Sequence, residues 1–145
     1  MKIVQSHGHF DLLHYGHLLH LQAASKLCFD IKGNRTGELI VTLTAGRYMS
    51  KPGHPIFTDE QRLEMVGALR CVDSVVVIDA RDAISAIEQV WPDIYVKGRE
   101  YQGRLPERQY CLDRGIKVVF LGEKIFGSTR LLNVLEREPD DRIPR

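Results

Sequence analysis

Apolar residues recur along this chain with two alternating spacings, one typical of buried strands and one typical of helices. Short β-branched runs at residues 38–44 and 74–78 are typical of parallel strands that are buried on both faces. Apolar residues at three- and four-residue steps, as in residues 15–28, indicate helices. The predicted strands are residues 2–6, 38–44, 74–78, 94–97 and 117–121. The predicted helices are residues 15–28, a helix that begins at Thr58, and residues 83–90, 106–113 and 128–136.

Strands and helices therefore alternate over most of the chain, and this order predicts an α/β fold. We expect a Rossmann-like, doubly wound sheet of five parallel strands with helices on both faces. It should form one domain, residues 1–136, followed by a polar tail, residues 137–145. Ligands bind beyond the carboxyl ends of the strands in such sheets. The loops expected at that edge are residues 6–13, 45–57, 98–103 and 122–127.

Charge and composition limit the classes of partner. The 145 residues carry a net charge of +1, so we expect neither nucleic acid nor a membrane surface as a partner. Three widely spaced cysteines indicate free thiols in a reducing compartment. The N-terminus turns polar by Gln5, and no apolar run approaches the length of a membrane span. These features favour a cytoplasmic protein.

The most informative segment is Gly-His-Phe-Asp-Leu-Leu-His-Tyr-Gly-His at residues 8–17. His14 and His17 lie at a predicted helix start, which offers unpaired N–H groups and the positive end of the dipole to a phosphate. Gly16 between them costs about 1 kcal/mol relative to alanine, so close approach of a ligand is a plausible reason for it. Two alternatives remain. The histidines could cap and pack the helix, or the cluster His7, His9, His14, His17 and His20 could hold zinc.

This segment resembles the G-x-F-D-x-x-H-x-G-H signature of the cytidylyltransferase-like nucleotidyltransferases. It is most similar to that of the heptose-phosphate adenylyltransferases and the glycerol-3-phosphate cytidylyltransferases. Other motifs match in the same order: TDEQR at 58–62, RCVD at 70–73, DIYVKG at 93–98 and STRLL at 128–132. The resemblance covers roughly residues 3 to 133.

The resemblance implies an enzyme of carbohydrate biosynthesis, usually a homodimer, that joins a nucleotide to a sugar or polyol phosphate. A phosphate oxygen of the acceptor attacks the α-phosphorus of a nucleoside triphosphate, and pyrophosphate leaves. Magnesium (Mg²⁺) would accompany the triphosphate. The implied catalytic residues are His14, His17 and Lys51. The implied nucleotide-binding residues are Gly8, His9, Phe10, Gly16, Lys97, Gly98, Lys124, Ser128 and Thr129, and the implied substrate-binding residues are Asp11, Arg47 and Arg62.

Several of these residues have a simpler interpretation. Lys51 is either a cation that reaches the phosphates from a loop or a solvated lysine. Lys97, at the end of a predicted strand, either contacts the base or the substrate or is solvated. Arg62 either binds the substrate phosphate or pairs with Asp59 or Glu64 on a helix surface. Ser128 and Thr129 either hold the β- and γ-phosphates or only cap the last helix.

The chain also departs from the family pattern at three places. His9 stands where the signature commonly has Cys or Thr. The acidic residue often found after the second strand is absent from residues 44–46, and Gly122-Glu123-Lys124 stands where glycerol-phosphate enzymes have arginine. The triplet Val-Lys-Gly at 96–98 favours ATP and a heptose-like phosphate. A glycerol-3-phosphate-type cytidylyltransferase and a non-catalytic nucleotide-binding module remain as alternatives.

Overall fold

The structure of this chain is a computed structural model, and it describes residues 1–122. The predicted helix at 128–136, the polar tail at 137–145 and the site residues Lys124, Ser128 and Thr129 lie outside the described residues.

Five parallel strands form one sheet in the order β3-β2-β1-β4-β5, which confirms the predicted α/β architecture. The first strand is central and is longer than predicted. His7 and Gly8 continue the pairing with the second strand beyond the predicted end at Ser6, so the polar side chain of His7 lies within the sheet. The strands are β1 Lys2–Gly8, β2 Gly37–Thr44, β3 Ser74–Ile78, β4 Ile94–Gly98 and β5 Lys117–Leu121.

Four helices connect the described strands, and two of them differ in length from the prediction. The first ends at Lys26, before Cys28, whose carbonyl accepts hydrogen bonds from the backbone of Thr36 and Gly37. The fourth begins after Pro106 and Glu107. The helices are α1 Tyr15–Lys26, α2 Asp59–Gly67, α3 Ala83–Val90 and α4 Arg108–Asp113, and single 3₁₀ turns occur at Gly46–Tyr48 and Arg99–Tyr101.

Two hydrophobic clusters cover the two faces of the sheet. Alternate residues of β4 enter different clusters: Ile94 and Val96 pack with residues of α1 and α2, whereas Tyr95 packs with residues of α3 and α4. The helices therefore lie on both faces, as the doubly wound prediction requires. The loops that follow β1, β2 and β4 come together at the carboxyl edge of the central strands.

Candidate active site

The two signature histidines begin α1 and hydrogen-bond to each other's backbone. His14 is the N-cap residue, and its Nδ1 accepts from the amide of His17 at 3.3 Å. Nδ1 of His17 accepts from the amide of His14 at 3.2 Å. The rings stack with their centroids 3.7 Å apart and an interplanar angle of 18°. This is a capping box built from imidazoles, so the helix-capping interpretation of the pair is present in the structure.

The cap also fixes which nitrogen carries the proton in each neutral ring. Because each Nδ1 accepts a hydrogen bond, the proton of a neutral ring must lie on Nε2. An Nε2–H group is a donor suited to a phosphate oxygen. Capping and phosphate binding therefore use different atoms of His14 and His17, and one role does not exclude the other.

His17 is held in its uncharged form. Burial and, to a lesser extent, positive charge on His14 and His20 lower the pKa of His17 to about 3. At neutral pH the ring is therefore a hydrogen-bond donor and not a cation. A triphosphate placed against Nε2 would favour the charged form and raise this pKa.

The turn between β1 and α1 is shaped by Phe10. Its backbone adopts a left-handed conformation with φ of +49°, and its side chain is 5% exposed. The ring packs against His17, with 4.9 Å between the centroids. A Cβ atom at Gly8 would lie 3.0 Å from a ring carbon of Phe10. The small size of Gly8 thus has a packing cause, besides the close phosphate approach that the resemblance implies.

The Asp11 side chain connects the turn after β1 to the loop that carries Lys51. Its side chain is fully enclosed, with one oxygen accepting from Nδ1 of His54 at 2.6 Å and from the amide of Ile56 at 2.7 Å. The other oxygen accepts from the amide of Phe57 at 2.9 Å. Burial alone would raise the pKa of Asp11, but these hydrogen bonds outweigh it and lower the pKa. The structure does not present this predicted substrate ligand to an open surface.

Arg62 is also enclosed. Its side chain is 0% exposed and donates to the carbonyls of His9 at 3.0 Å and Thr44 at 2.9 Å. It also pairs with Asp59 at 2.6 Å, and Asp59 accepts from the amide of Gly46 at 2.7 Å. The pairing with Asp59, one of the two predicted alternatives, is present. The Arg62 guanidinium lies in the interior, where it joins the ends of β1 and β2 to α2, whereas the Asp59 side chain is 43% exposed.

Lys97 supplies a cation where β1 and β4 end. Its ammonium donates to the carbonyl of His7 at 2.9 Å and lies 5.0 Å from the ring centroid of Tyr101. Burial lowers the pKa of Lys97, and its charge in turn lowers the pKa of His9 and His20. The structure thus brings Lys97 together with the histidines of the signature and of α1.

The other predicted site residues are less enclosed. Lys51 is exposed on the loop that the Asp11 carboxylate anchors. Arg47 hydrogen-bonds Asp79, at the end of β3, and both side chains are exposed. At Gly98 a Cβ atom would collide with the carboxylate of Glu100. Gly98 therefore leaves room for an acidic side chain beside Lys97.

Sequence reasoning missed the contacts that three histidines, His7, His20 and His54, make around this site. Nε2 of His20 lies 2.9 Å from the hydroxyl of Ser6, and the ring of His7 contacts the hydroxyls of Thr42 at 2.9 Å and Thr44 at 3.2 Å. His54 contacts Asp11 from 43 residues away. The regular three-residue spacing of the histidines suggested one cluster, whereas the sheet separates His7 and His20 into pairs with hydroxyl side chains.

No group of three or more His, Cys, Asp or Glu side chains suited to a metal ion occurs within residues 1–122. The zinc alternative therefore has no ligand set in this part of the chain. No helix within the same residues combines the length and the apolar character that a bilayer span requires.

Buried neutral histidines should make the fold sensitive to acid. The pKa values of His7 and His17 are lowered to about 3, and that of His20 to about 4, mainly by burial. The unfolded chain, with histidine pKa near 6.5, therefore binds more protons below that pH, and the free energy of unfolding falls as the pH falls. We expect a loss on the order of 1 kcal/mol per histidine for each pH unit between about 6 and 4.

Urea denaturation between about pH 7.5 and pH 5 would measure this loss, and His20→Gln should give a shallower slope than the unaltered protein. A free energy of unfolding that is constant over this interval would contradict the burial of these rings as neutral groups.

The chain was compared with protein families, curated proteins and solved structures. The family model described as cytidylyltransferase-like matches residues 6–139. The bifunctional protein HldE of Gluconobacter oxydans is 40% identical over 144 residues, which are 95% of this chain and 28% of that protein. The FAD synthase of Methanohalophilus mahii is 33% identical over 150 aligned positions, covering 95% of this chain and 97% of that enzyme. The chain thus spans little more than a quarter of one relative and nearly all of the other.

Among solved structures, a lipopolysaccharide core biosynthesis protein from Thermoplasma volcanium superimposes with a TM-score of 0.66 and 29% sequence identity. The match covers 85% of this chain and 98% of that one. The shared architecture is the five-stranded parallel sheet with helices on both faces.

Proposed function

Because the chain belongs to the cytidylyltransferase-like family, we propose that it transfers a nucleoside monophosphate from a nucleoside triphosphate to a sugar or polyol phosphate. An oxygen of the acceptor phosphate attacks the α-phosphorus, the bond from that phosphorus to the bridging oxygen breaks, and pyrophosphate leaves. The reaction needs no covalent enzyme intermediate, so binding, orientation and charge stabilisation supply the catalysis.

The reciprocal histidine cap is the observation that carries this proposal. The stacked rings of His14 and His17 are oriented by their Nδ1 bonds to the backbone, which leaves the Nε2–H groups as the donors. These donors would bind the oxygens of the α-phosphoryl group, on which charge increases in the transition state. The orientation is set before the ligand arrives, because the helix cap itself holds the rings.

Two lysines would add positive charge from different elements. Lys97 lies at the end of β4, where its ammonium contacts the backbone of β1. Lys51 is exposed on the loop that the Asp11 carboxylate anchors. From this loop it would reach the phosphates at the carboxyl edge of the sheet. Mg²⁺ would enter with the triphosphate, which supplies most of its oxygen ligands. It would neutralise charge on the leaving pyrophosphate.

The preferred substrates are ATP and a heptose-like phosphate. The triplet Val-Lys-Gly, with Lys97 at the sheet edge, and the 40% identity to an HldE protein support this choice. A second candidate is adenylyl transfer to a flavin phosphate, because a FAD synthase matches over nearly its whole length. Cytidylyl transfer to glycerol 3-phosphate and nucleotide binding without turnover remain as alternatives.

A matrix of substrates would test the proposal. We expect pyrophosphate release when ATP is combined with one member of a panel of sugar phosphates, polyol phosphates and FMN. We also expect the release to stop when EDTA removes Mg²⁺ and to return when Mg²⁺ is added in excess. ATP, CTP, GTP and UTP are each compared against the whole panel.

The pattern of results separates the candidates. Turnover with FMN alone would favour the FAD synthase alternative, and turnover with CTP and glycerol 3-phosphate would favour the cytidylyltransferase alternative. Tight nucleotide binding without any product would favour the non-catalytic module. If calorimetry detects no nucleotide binding and no acceptor gives pyrophosphate, the proposed function is wrong. A homodimer in the cytoplasm remains a prediction, and light scattering during gel filtration would measure the dimer.

A further inference from the structure

His54 has an unusual environment in the loop that carries Lys51. Its side chain is only 3% exposed, and its Nδ1 lies 2.6 Å from a carboxylate oxygen of Asp11. Its other ring nitrogen, Nε2, is buried and has no hydrogen-bond partner among the residues that the structure describes. A buried polar atom without a partner is destabilising, and such atoms are uncommon in folded proteins.

The Asp11 carboxylate determines the chemistry of that unpartnered nitrogen. A carboxylate only accepts hydrogen bonds, so Nδ1 of His54 carries a proton. A phosphate oxygen only accepts hydrogen bonds, so a phosphate placed at Nε2 would bind the ring with a proton on each nitrogen, and Nε2–H would then be the donor. Asp11 is itself fixed by the amides of Ile56 and Phe57, so the orientation of the ring is determined by the backbone.

The surroundings of His54 contain several groups that suit an anion. The pKa of His9 is lowered first by burial and then by positive charge on Lys97, Arg62 and His54. His9 follows the glycine of the phosphate-binding signature. Lys51, whose carbonyl accepts from the amide of His54 at 3.1 Å, is in the same turn.

We propose that His54 binds a phosphate group of the triphosphate chain through Nε2, with Asp11 as the carboxylate that orients the ring. The contact would form a continuous series from carboxylate to imidazolium to phosphate, so the ligand would complete the hydrogen bonding of the buried nitrogen. This inference rests on the proposed nucleotide chemistry, and it adds a ligand-binding residue outside the signature segment. It also assigns Asp11 a role in positioning rather than in direct contact with substrate.

Two substitutions separate the two nitrogens of this ring. Asparagine is short, and its amide N–H can replace Nδ1–H as the donor to Asp11, so His54→Asn keeps the anchor and removes the ligand contact. Glutamine is longer, and its amide can reach the position of Nε2, so His54→Gln loses the anchor and keeps a donor for the phosphate. Each variant is the matched control of the other.

Magnesium pyrophosphate is the probe, because it is the proposed product for every nucleoside triphosphate and does not depend on the base. Calorimetry measures its dissociation constant, and urea denaturation measures stability. We expect His54→Asn to bind at least about tenfold more weakly than the unaltered protein while its stability is the higher of the two variants. We expect His54→Gln to bind within about threefold of the unaltered protein despite its lower stability.

A purely structural role predicts the opposite order, in which weaker binding accompanies lower stability. Unchanged affinity in His54→Asn would overturn the inference, and so would weaker binding by His54→Gln than by His54→Asn. In the unaltered protein, Nε2 of His54 should also shift in a ¹H–¹⁵N correlation spectrum when pyrophosphate is added, and an unshifted resonance would equally overturn it. If one of these negative results occurs in a protein that still turns over, the inference about His54 is wrong and the proposed function stands. If the unaltered protein shows neither pyrophosphate binding nor turnover, the inference and the proposed function are both wrong.

Discussion

His17→Gln is expected to lower kcat by roughly 10³-fold while leaving the free energy of unfolding almost unchanged. The loss follows from removal of one preorganised donor to the reacting phosphoryl group, which typically costs 10²–10³-fold in kcat. The fold should survive because the Oε1 atom of glutamine at this helix position folds back to the amide of His14 and preserves the capping box, and the side chain then no longer extends a donor to the position of Nε2. The chain itself provides the precedent: Gln61 at the same position of α2 accepts from the amide of Thr58 at 3.1 Å.

The measurement is steady-state kinetics at saturating nucleotide, together with urea denaturation and the helical circular dichroism of each variant. His14→Thr is the companion variant, since threonine also caps a helix, as Thr58 does in α2. Gln22→Ala, at an exposed position of α1, is the control and should retain normal kcat. A normal kcat in His17→Gln would remove this histidine from the mechanism and leave it only its capping role.

The sheet could be predicted from the sequence because its strands carry their own signal. The β-branched run of β2 is largely buried and that of the edge strand β3 is half-buried, and the predicted bounds of both agree with the structure to within one residue. The end of β1 was harder to predict. Ser6 and His7 are polar, yet hydroxyl and imidazole partners on neighbouring elements satisfy them inside the fold. A pattern of apolar positions contains no information on such partners.

The contacts that organise the candidate site depend on tertiary structure, so their sequence signal is weak. Asp11 and His54 are 43 positions apart, and only the folded loop shows that one orients the other. Phe10 adopts a positive φ that no local preference of phenylalanine would suggest. The signature therefore predicts the candidate site and its histidines, whereas the contacts that support this candidate site are visible only in the structure.

Arg62 shows most clearly how burial changes the interpretation of a charged residue. Its charge and the nearby carboxylates of Asp59 and Glu64 favoured a position on the helix surface. The guanidinium instead enters the interior because the carbonyls of His9 and Thr44, at the ends of two strands, need donors. Its planar array of N–H groups reaches both carbonyls and Asp59 at once, which lysine cannot do.

We therefore expect Arg62→Ala to lower the free energy of unfolding by about 3–5 kcal/mol, because it leaves buried polar groups without partners. Arg62→Lys should lose less, since one ammonium can still serve part of this set. Arg81→Ala, at an exposed position, should change the free energy by no more than about 0.5 kcal/mol. Urea denaturation of the three variants measures these differences.

Kinetics then decides between the two roles considered for Arg62. If the residue is structural, the fraction of Arg62→Lys that is folded should retain a KM for the acceptor phosphate close to that of the unaltered protein. If it binds the acceptor, KM should rise at least about tenfold while the stability of Arg62→Ala stays within about 1 kcal/mol of normal. The enclosed side chain favours the first outcome. Under that outcome the acceptor phosphate is bound by other groups, and Arg62 holds the strand ends on which the site is built.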